Sequence, residues 1–354
     1  MNLDDLERFK QLDTLNMLGE IDNLPDQLGY AYQLGLKHQL PDWRDFKQVV
    51  ITGMGGSAIG ADLLASYCAS LAPIPVSVHR DYDLPLFARG AETLLICSSH
   101  SGNTEETLSA FEAARKAECR IVVVCTGGKL AKQAKTNNIP LWTFDHAGQA
   151  SSAVGFSFGL LLAMFHRLGF IPDQKEAIAD AVAAMKRSQG YLKADVIAAK
   201  NPAKRYAGQL IGRWVTIMGS GLTAPIARRW KGQLNEIAKA GANFDFIPEA
   251  DHNTLAGTTN HQETLNAHTI TLFLRADSDH PRNRLRSDLT RQAFMLEGMN
   301  TDHVDARGNT PLAHMWTLIL FGDYMAYYLA VGYGVDPTLS PALADFKESM
   351  ANMK

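Results

Sequence analysis

One short device appears twice in this chain. Residues 51–58 read Ile51-Thr52-Gly53-Met54-Gly55-Gly56-Ser57-Ala58, and residues 217–224 read Ile217-Met218-Gly219-Ser220-Gly221-Leu222-Thr223-Ala224. Each copy is an apolar run that ends in a glycine-rich turn and leads into a helical pattern. A strand feeding a helix through such a turn is the building unit of a parallel sheet. Its recurrence predicts an α/β protein of two similar three-layer α/β/α sandwiches with mainly parallel sheets.

The rest of the chain fits that frame. After the first turn, a helix is expected over 58–70, strands over 75–79, 93–97, 120–125 and 141–144, and a helix over 105–119. The second half predicts strands at 214–218, 244–247, 269–274 and 301–305, with helices over 222–240 and 284–297 and further helices from 313 onward. The predicted division is an N-terminal helical arm (1–45), a first sandwich (46–170), a connecting helix (171–200) and a second sandwich with C-terminal helices (201–354).

The totals exclude several classes. A chain of 354 residues is too long for one ordinary core. Its formal net charge is −3 and it has no long basic run, which argues against a nucleic-acid partner. Cys68, Cys97, Cys119 and Cys125 form no CxxC pair, so buried reduced thiols are expected. The intervals among His252, His261 and His268 fit no metal-ligand pattern. The acidic start, Met1-Asn2-Leu3-Asp4-Asp5, has no signal-peptide core, and the apolar stretch 316–331 carries Asp323. A cytoplasmic protein with no membrane partner is the expectation.

Two loops carry the chemistry. In Gly53-Met54-Gly55-Gly56-Ser57, glycines let backbone approach an anion at a helix N-terminus. The spacing matches neither the dinucleotide nor the Walker A fingerprint. Between the next predicted strand and helix stand Ser99, Ser101 and Thr104. A helix cap needs one hydroxyl, and three suit a phosphate. Loops on neighbouring parallel strands converge at the carboxyl edge of the sheet. A phosphate site on Gly55, Gly56, Ser57, Ser99, Ser101 and Thr104 is therefore expected.

With Arg80-Asp81-Tyr82-Asp83-Leu84-Pro85, Ser99-His100-Ser101-Gly102-Asn103-Thr104-Glu105-Glu106-Thr107, Arg229-Trp230-Lys231-Gly232-Gln233-Leu234-Asn235-Glu236, Pro248-Glu249-Ala250-Asp251-His252-Asn253 and Gly322-Asp323-Tyr324, the sequence resembles the bifunctional phosphoglucose/phosphomannose isomerases of the sugar isomerase (SIS) fold. The resemblance runs from about residue 49 to the C-terminus. It implies a homodimer with shared active sites, working on a sugar phosphate without metal or other cofactor. It also implies roles: Glu236 as the base that moves a proton between C1 and C2, His252 opening the sugar ring from the neighbouring subunit, and Lys347 as an active-site lysine. Proton shuttling by a carboxylate, ring opening by a histidine and a cation beside an enediolate are what aldose–ketose isomerisation requires.

The sequence departs at Ile237, after Glu236, and more consequentially in one segment. The family carries Gly-Gln-Pro-Arg after the fifth strand, and its arginine faces the enediolate. Here the stretch reads Gly148-Gln149-Ala150-Ser151, so Ser151 stands at the arginine position. A hydroxyl does not replace a guanidinium. Three readings follow: an isomerase whose cation comes from elsewhere, with Arg80 or Lys347 as candidates; a weak or re-specialised isomerase; or a sugar-phosphate sensor without catalysis. Glu236 and His252 favour chemistry, because a sensor has no use for them.

Overall fold

The computed structural model describes residues 2–352. The chain opens on α1 (Leu6–Leu12) and α2 (Met17–Lys37). The first half continues through β1 (Gln48–Thr52), α3 (Gly55–Cys68), β2 (Val76–His79), β3 (Thr93–Ser99), α4 (Glu105–Lys116), β4 (Arg120–Cys125), α5 (Gly128–Thr136), β5 (Leu141–Thr143) and α6 (Val154–Arg167). The second half comprises α7 (Lys175–Leu192), α8 (Pro202–Leu210), β6 (Trp214–Ser220), α9 (Ala224–Glu236), β7 (Ala242–Ile247), α10 (Gln262–His268), β8 (Thr269–Arg275), α11 (Pro281–Leu296), β9 (Thr301–Asp305), α12 (Pro311–Tyr333) and α13 (Pro341–Asn352).

The strands form two wholly parallel sheets, in the orders β2-β1-β3-β4-β5 and β7-β6-β8-β9. The two-residue period of a strand divides each sheet's side chains between opposite faces. Val49 and Ile51 of β1 and Ile217 of β6 point into one shared core, together with α2, α6, α9 and α12. Val50 and Leu95 face outward under α4 and α5, where they meet Phe111 and Leu130. Met218 and Phe273 pack outward against Phe294 of α11.

Three expectations need correction. The helix expected over 171–200 stops at Leu192, and α8 starts anew at Pro202. Asn201 caps α8 by accepting from Lys204 N, with Pro202 at the first helical position, and its amide also donates to the Leu192 and Lys193 carbonyls. The helix expected from 58 already begins at Gly55, so Gly55, Gly56 and Ser57 form its first turn. The helix expected to run to 240 ends at Glu236. Lys239 adopts φ 55°, and its ammonium donates to the Glu236 and Ile237 carbonyls, which closes the end.

α12 is buried from Leu312 to Val331. Its polar groups find partners inside: Thr317 donates to Ala313 O, and Asp323 accepts from α9. Among the described residues no helix is long and apolar enough to cross a membrane. Cys68, Cys97 and Cys125 are buried and Cys119 half-buried, all as free thiols.

Candidate active site

The two predicted loops meet. β1 and β3 are neighbours in register, with Thr52 opposite Cys97, so both loops leave the same carboxyl edge. His100 N donates to Ser57 Oγ at 3.0 Å, tying one loop to the other. α3 begins at Gly55 in the left-handed region (φ 49°), and Met54 before it offers no side-chain cap. Gly56 has no room for a side chain: a Cβ there would lie 2.3 Å from Ala150 O.

Thr104 stands at the N-cap of α4, yet its side chain does not cap the helix. Its Oγ1 is 2.9 Å from Ser99 Oγ, which also accepts from Gly102 N at 3.2 Å. Ser101 Oγ accepts from Asn103 N at 3.2 Å and remains exposed. The hydroxyls thus shape the loop and leave the first turns of α3 and α4 uncapped by side chains, as an anion would require.

Ser151 is buried in a one-turn 3-10 helix, Ala150–Ser152, against Gly56. A guanidinium does lie beside it. Arg229 of α9 donates to Ser151 O through Nη1 (3.3 Å) and Nη2 (3.2 Å). The same Nη2 is 2.6 Å from Asp323 Oδ2, and Gln233 donates to Asp323 Oδ1 at 2.9 Å. Burial pushes the Asp323 carboxyl above its ordinary range, while Arg229 and Gln233 pull it back. This arginine is therefore held as a buried ion pair that props the Ser151 turn. Arg80 is engaged as well: its guanidinium pairs with Asp62 and donates to Ala58 O at 3.2 Å.

Glu236 is the last residue of α9. α9 lies antiparallel to α3. Ser66, near the end of α3, donates to Gly221 O just ahead of α9, and Arg228 reaches Asp62 midway at 3.0 Å. The far end of α9, with Glu236, therefore lies toward the first turn of α3, where Gly55, Gly56 and Ser57 stand. His252 goes elsewhere. It is exposed in the 3-10 turn Glu249–His252, past the carboxyl end of β7. Glu236 precedes the amino end of β7, so one strand length separates the two within a chain. Lys347 is exposed on α13, a helix exposed over 341–350. The residue before α13, Ser340, approaches Glu236 O at 3.5 Å, which roots that helix beside Glu236.

Comparison with known proteins identifies the family. Residues 44–166 match the SIS domain, and residues 199–350 match the bacterial phospho-glucose isomerase C-terminal SIS domain. A bifunctional phosphoglucose/phosphomannose isomerase from Caldicellulosiruptor bescii is 37% identical over 340 residues, which is 96% of this chain and 100% of that protein. The chain belongs to the bifunctional phosphoglucose/phosphomannose isomerase family. It is an isomerase of the SIS fold. A second member, from Aquifex aeolicus, is 31% identical, covering 91% of this chain and 96% of its own. A solved glucose-6-phosphate isomerase like protein from Thermus thermophilus shares the fold at TM-score 0.65 and 18% identity, covering 98% of this chain and 99% of that one.

Sequence reasoning missed two parts of the site. Arg229 and Asp323 lie in motifs that carry the family resemblance, but nothing local marks them as partners 94 residues apart. Nothing local marks His100 and His146 as partners either. His100 Nε2 is 2.9 Å from His146 Nδ1, and His146 Nε2 is 3.1 Å from Glu20 Oε2 of α2. Burial, and then the neighbouring His146, push the His100 imidazole down to about 4. A histidine between two serines of the second loop is the available signal.

Proposed function

We propose that this isomerase interconverts glucose 6-phosphate or mannose 6-phosphate with fructose 6-phosphate through an enediolate. The observation that carries the reading is the meeting of the two hydroxyl loops at one sheet edge, with α9 running back so that Glu236 approaches them. The 6-phosphate sits on the first turns of α3 and α4, held by Ser57, Ser99, Ser101 and Thr104. Glu236 takes the proton from C2 and returns it to C1. His252 opens the ring from a partner subunit, since its own chain holds it a strand length from Glu236. The enzyme is then a homodimer with shared sites, serving glycolysis and gluconeogenesis in the cytoplasm.

The enediolate needs a cation. Arg229 and Arg80 are both committed to carboxylates, whereas Lys347 has no carboxylate partner among the described residues, and α13 is rooted beside Glu236. Lys347 takes that role here. The second reading, a weak or re-specialised isomerase, is favoured by Ser151 itself.

A coupled assay for fructose 6-phosphate from each aldose phosphate tests the function. Glu236→Gln should abolish turnover while leaving sugar-phosphate binding intact. Lys347→Ala should slow it about a hundred- to thousandfold. Turnover by Glu236→Gln at the parent rate removes the assignment. Mixed Glu236→Gln and His252→Ala chains should recover activity after subunit exchange, and silence there argues against shared sites.

A further inference from the structure

We propose that His100, His146 and Glu20 form a proton relay in which His100 Nδ1 takes a proton from a hydroxyl of the bound sugar phosphate and later returns it. The inference rests on the function above and adds a substrate-facing residue to it.

The direction of the relay follows from its last member. A carboxylate only accepts, so His146 Nε2 carries the proton donated to Glu20. With His146 as a neutral imidazole its Nδ1 is an acceptor, and His100 Nε2 donates to it. His100 Nδ1 is left unprotonated. It has no hydrogen-bond partner among the described residues and is not among the fully buried unpaired atoms, so it keeps some accessible surface. The residue belongs to the phosphate loop, with its own N–H on Ser57 Oγ.

Aldose–ketose exchange moves more than the carbon-bound proton. One hydroxyl proton must leave O2 and one must arrive on O1. When Nδ1 accepts the O2 proton, Nε2 gives its proton to His146 Nδ1. The positive charge then rests on the His146 imidazolium against Glu20, and His100 stays neutral. Reversal delivers the proton to O1, so protons and charge balance. A neutral imidazole with a low proton affinity suits contact with an enediolate. α2 presents Glu20, and α6 presents Phe156 and Ser157. Phe144 stands edge-on to His100, and Asp145 is exposed to solvent.

The test uses the full chain. His100→Asn should lower kcat for glucose 6-phosphate about a hundred- to ten-thousandfold, with affinity for inorganic phosphate within threefold of the parent. Glu20→Gln should move the acid limb of the kcat/KM profile to lower pH, because the relay then loses the carboxylate that favours its protonated state. A structural role alone would leave that limb in place. The relay is refuted by parent-like turnover in His100→Asn, by equal loss of inorganic phosphate binding, or by an unmoved acid limb in Glu20→Gln. If the parent converts neither aldose phosphate, the isomerase reading fails separately. Imidazole nitrogen NMR then decides: fructose 6-phosphate should shift the His100 and His146 signals and inorganic phosphate should not, and identical responses to both overturn the relay.

Discussion

After the first glycine-rich turn, the helix starts without a side-chain cap, whereas the second turn closes on itself. Ser220 and Thr223 form a reciprocal capping box, with Ser220 N donating to Thr223 Oγ1 at 2.8 Å. Asp279 then faces the turn: a Cβ on Gly221 would stand 3.9 Å from its Oδ1. The second copy thus carries its own hydroxyl cap and its own carboxyl group, and an incoming phosphate would meet both. The first copy has neither, and its Ser57 is bonded across to the neighbouring loop. Duplicated backbone geometry therefore does not duplicate the helix start: the first copy leaves its N-terminus without a side-chain cap, and the second satisfies its own.

The comparison breaks most severely if the support beneath the first turn is removed. Asp323→Ala leaves Arg229 charged and buried, and should cost about 3–5 kcal/mol of stability by chemical denaturation. Because Arg229 props the Ser151 turn behind Gly56, phosphate affinity should fall with it. Retained stability would mean that the two halves are not coupled through this pair.

A paired substitution sharpens the contrast. Ser57→Ala should weaken inorganic phosphate binding about tenfold, the worth of one hydrogen bond to a charged group. Ser220→Ala should cost about 1 kcal/mol of stability, as lost caps do, with phosphate affinity unchanged. Equal effects on binding from both would show that the turns are equivalent after all.

A pH dependence tests the second turn directly. Burial raises the Asp279 carboxyl from its ordinary value to about 7, against the pull of Ala276 N and Arg284. The folded state holds this proton up to about pH 7, and the unfolded chain releases it near its ordinary value. Its contribution to stability is therefore full below the unfolded value and lost as pH rises through 7. Asp279→Asn should be more stable than the parent at pH 8, by up to about 4 kcal/mol, with the gap closing by pH 4. Thermal melts across that range measure it, and a pH-independent gap would place the raised carboxyl elsewhere.

Much of the sheet was legible because its signals are local. Val49-Val50-Ile51-Thr52 and Arg120 through Cys125 are β-branched runs bounded by turns, and they form strands where expected. Helix ends were less legible, because they depend on single side chains reaching the backbone, as Lys239 does behind Glu236. The two meeting loops could be picked out by their glycines and hydroxyls, but the contacts among His100, His146 and Glu20 could not. Glu20 lies 126 residues from His146, in a helix that offered no chemical clue.

By itself, the sequence determined that strands alternate with helices, that the turn at residues 53–57 opens a helix, and that three hydroxyls follow the next strand. Those are properties of neighbours along the chain. Only the tertiary structure decided that α9 lies antiparallel to α3, that Arg229 is consumed by Asp323, and that His252 stands apart from Glu236. Each depends on which surfaces pack together. Burial between packed elements sets the partners and proton affinities of charged groups, and residues far apart in sequence meet only there.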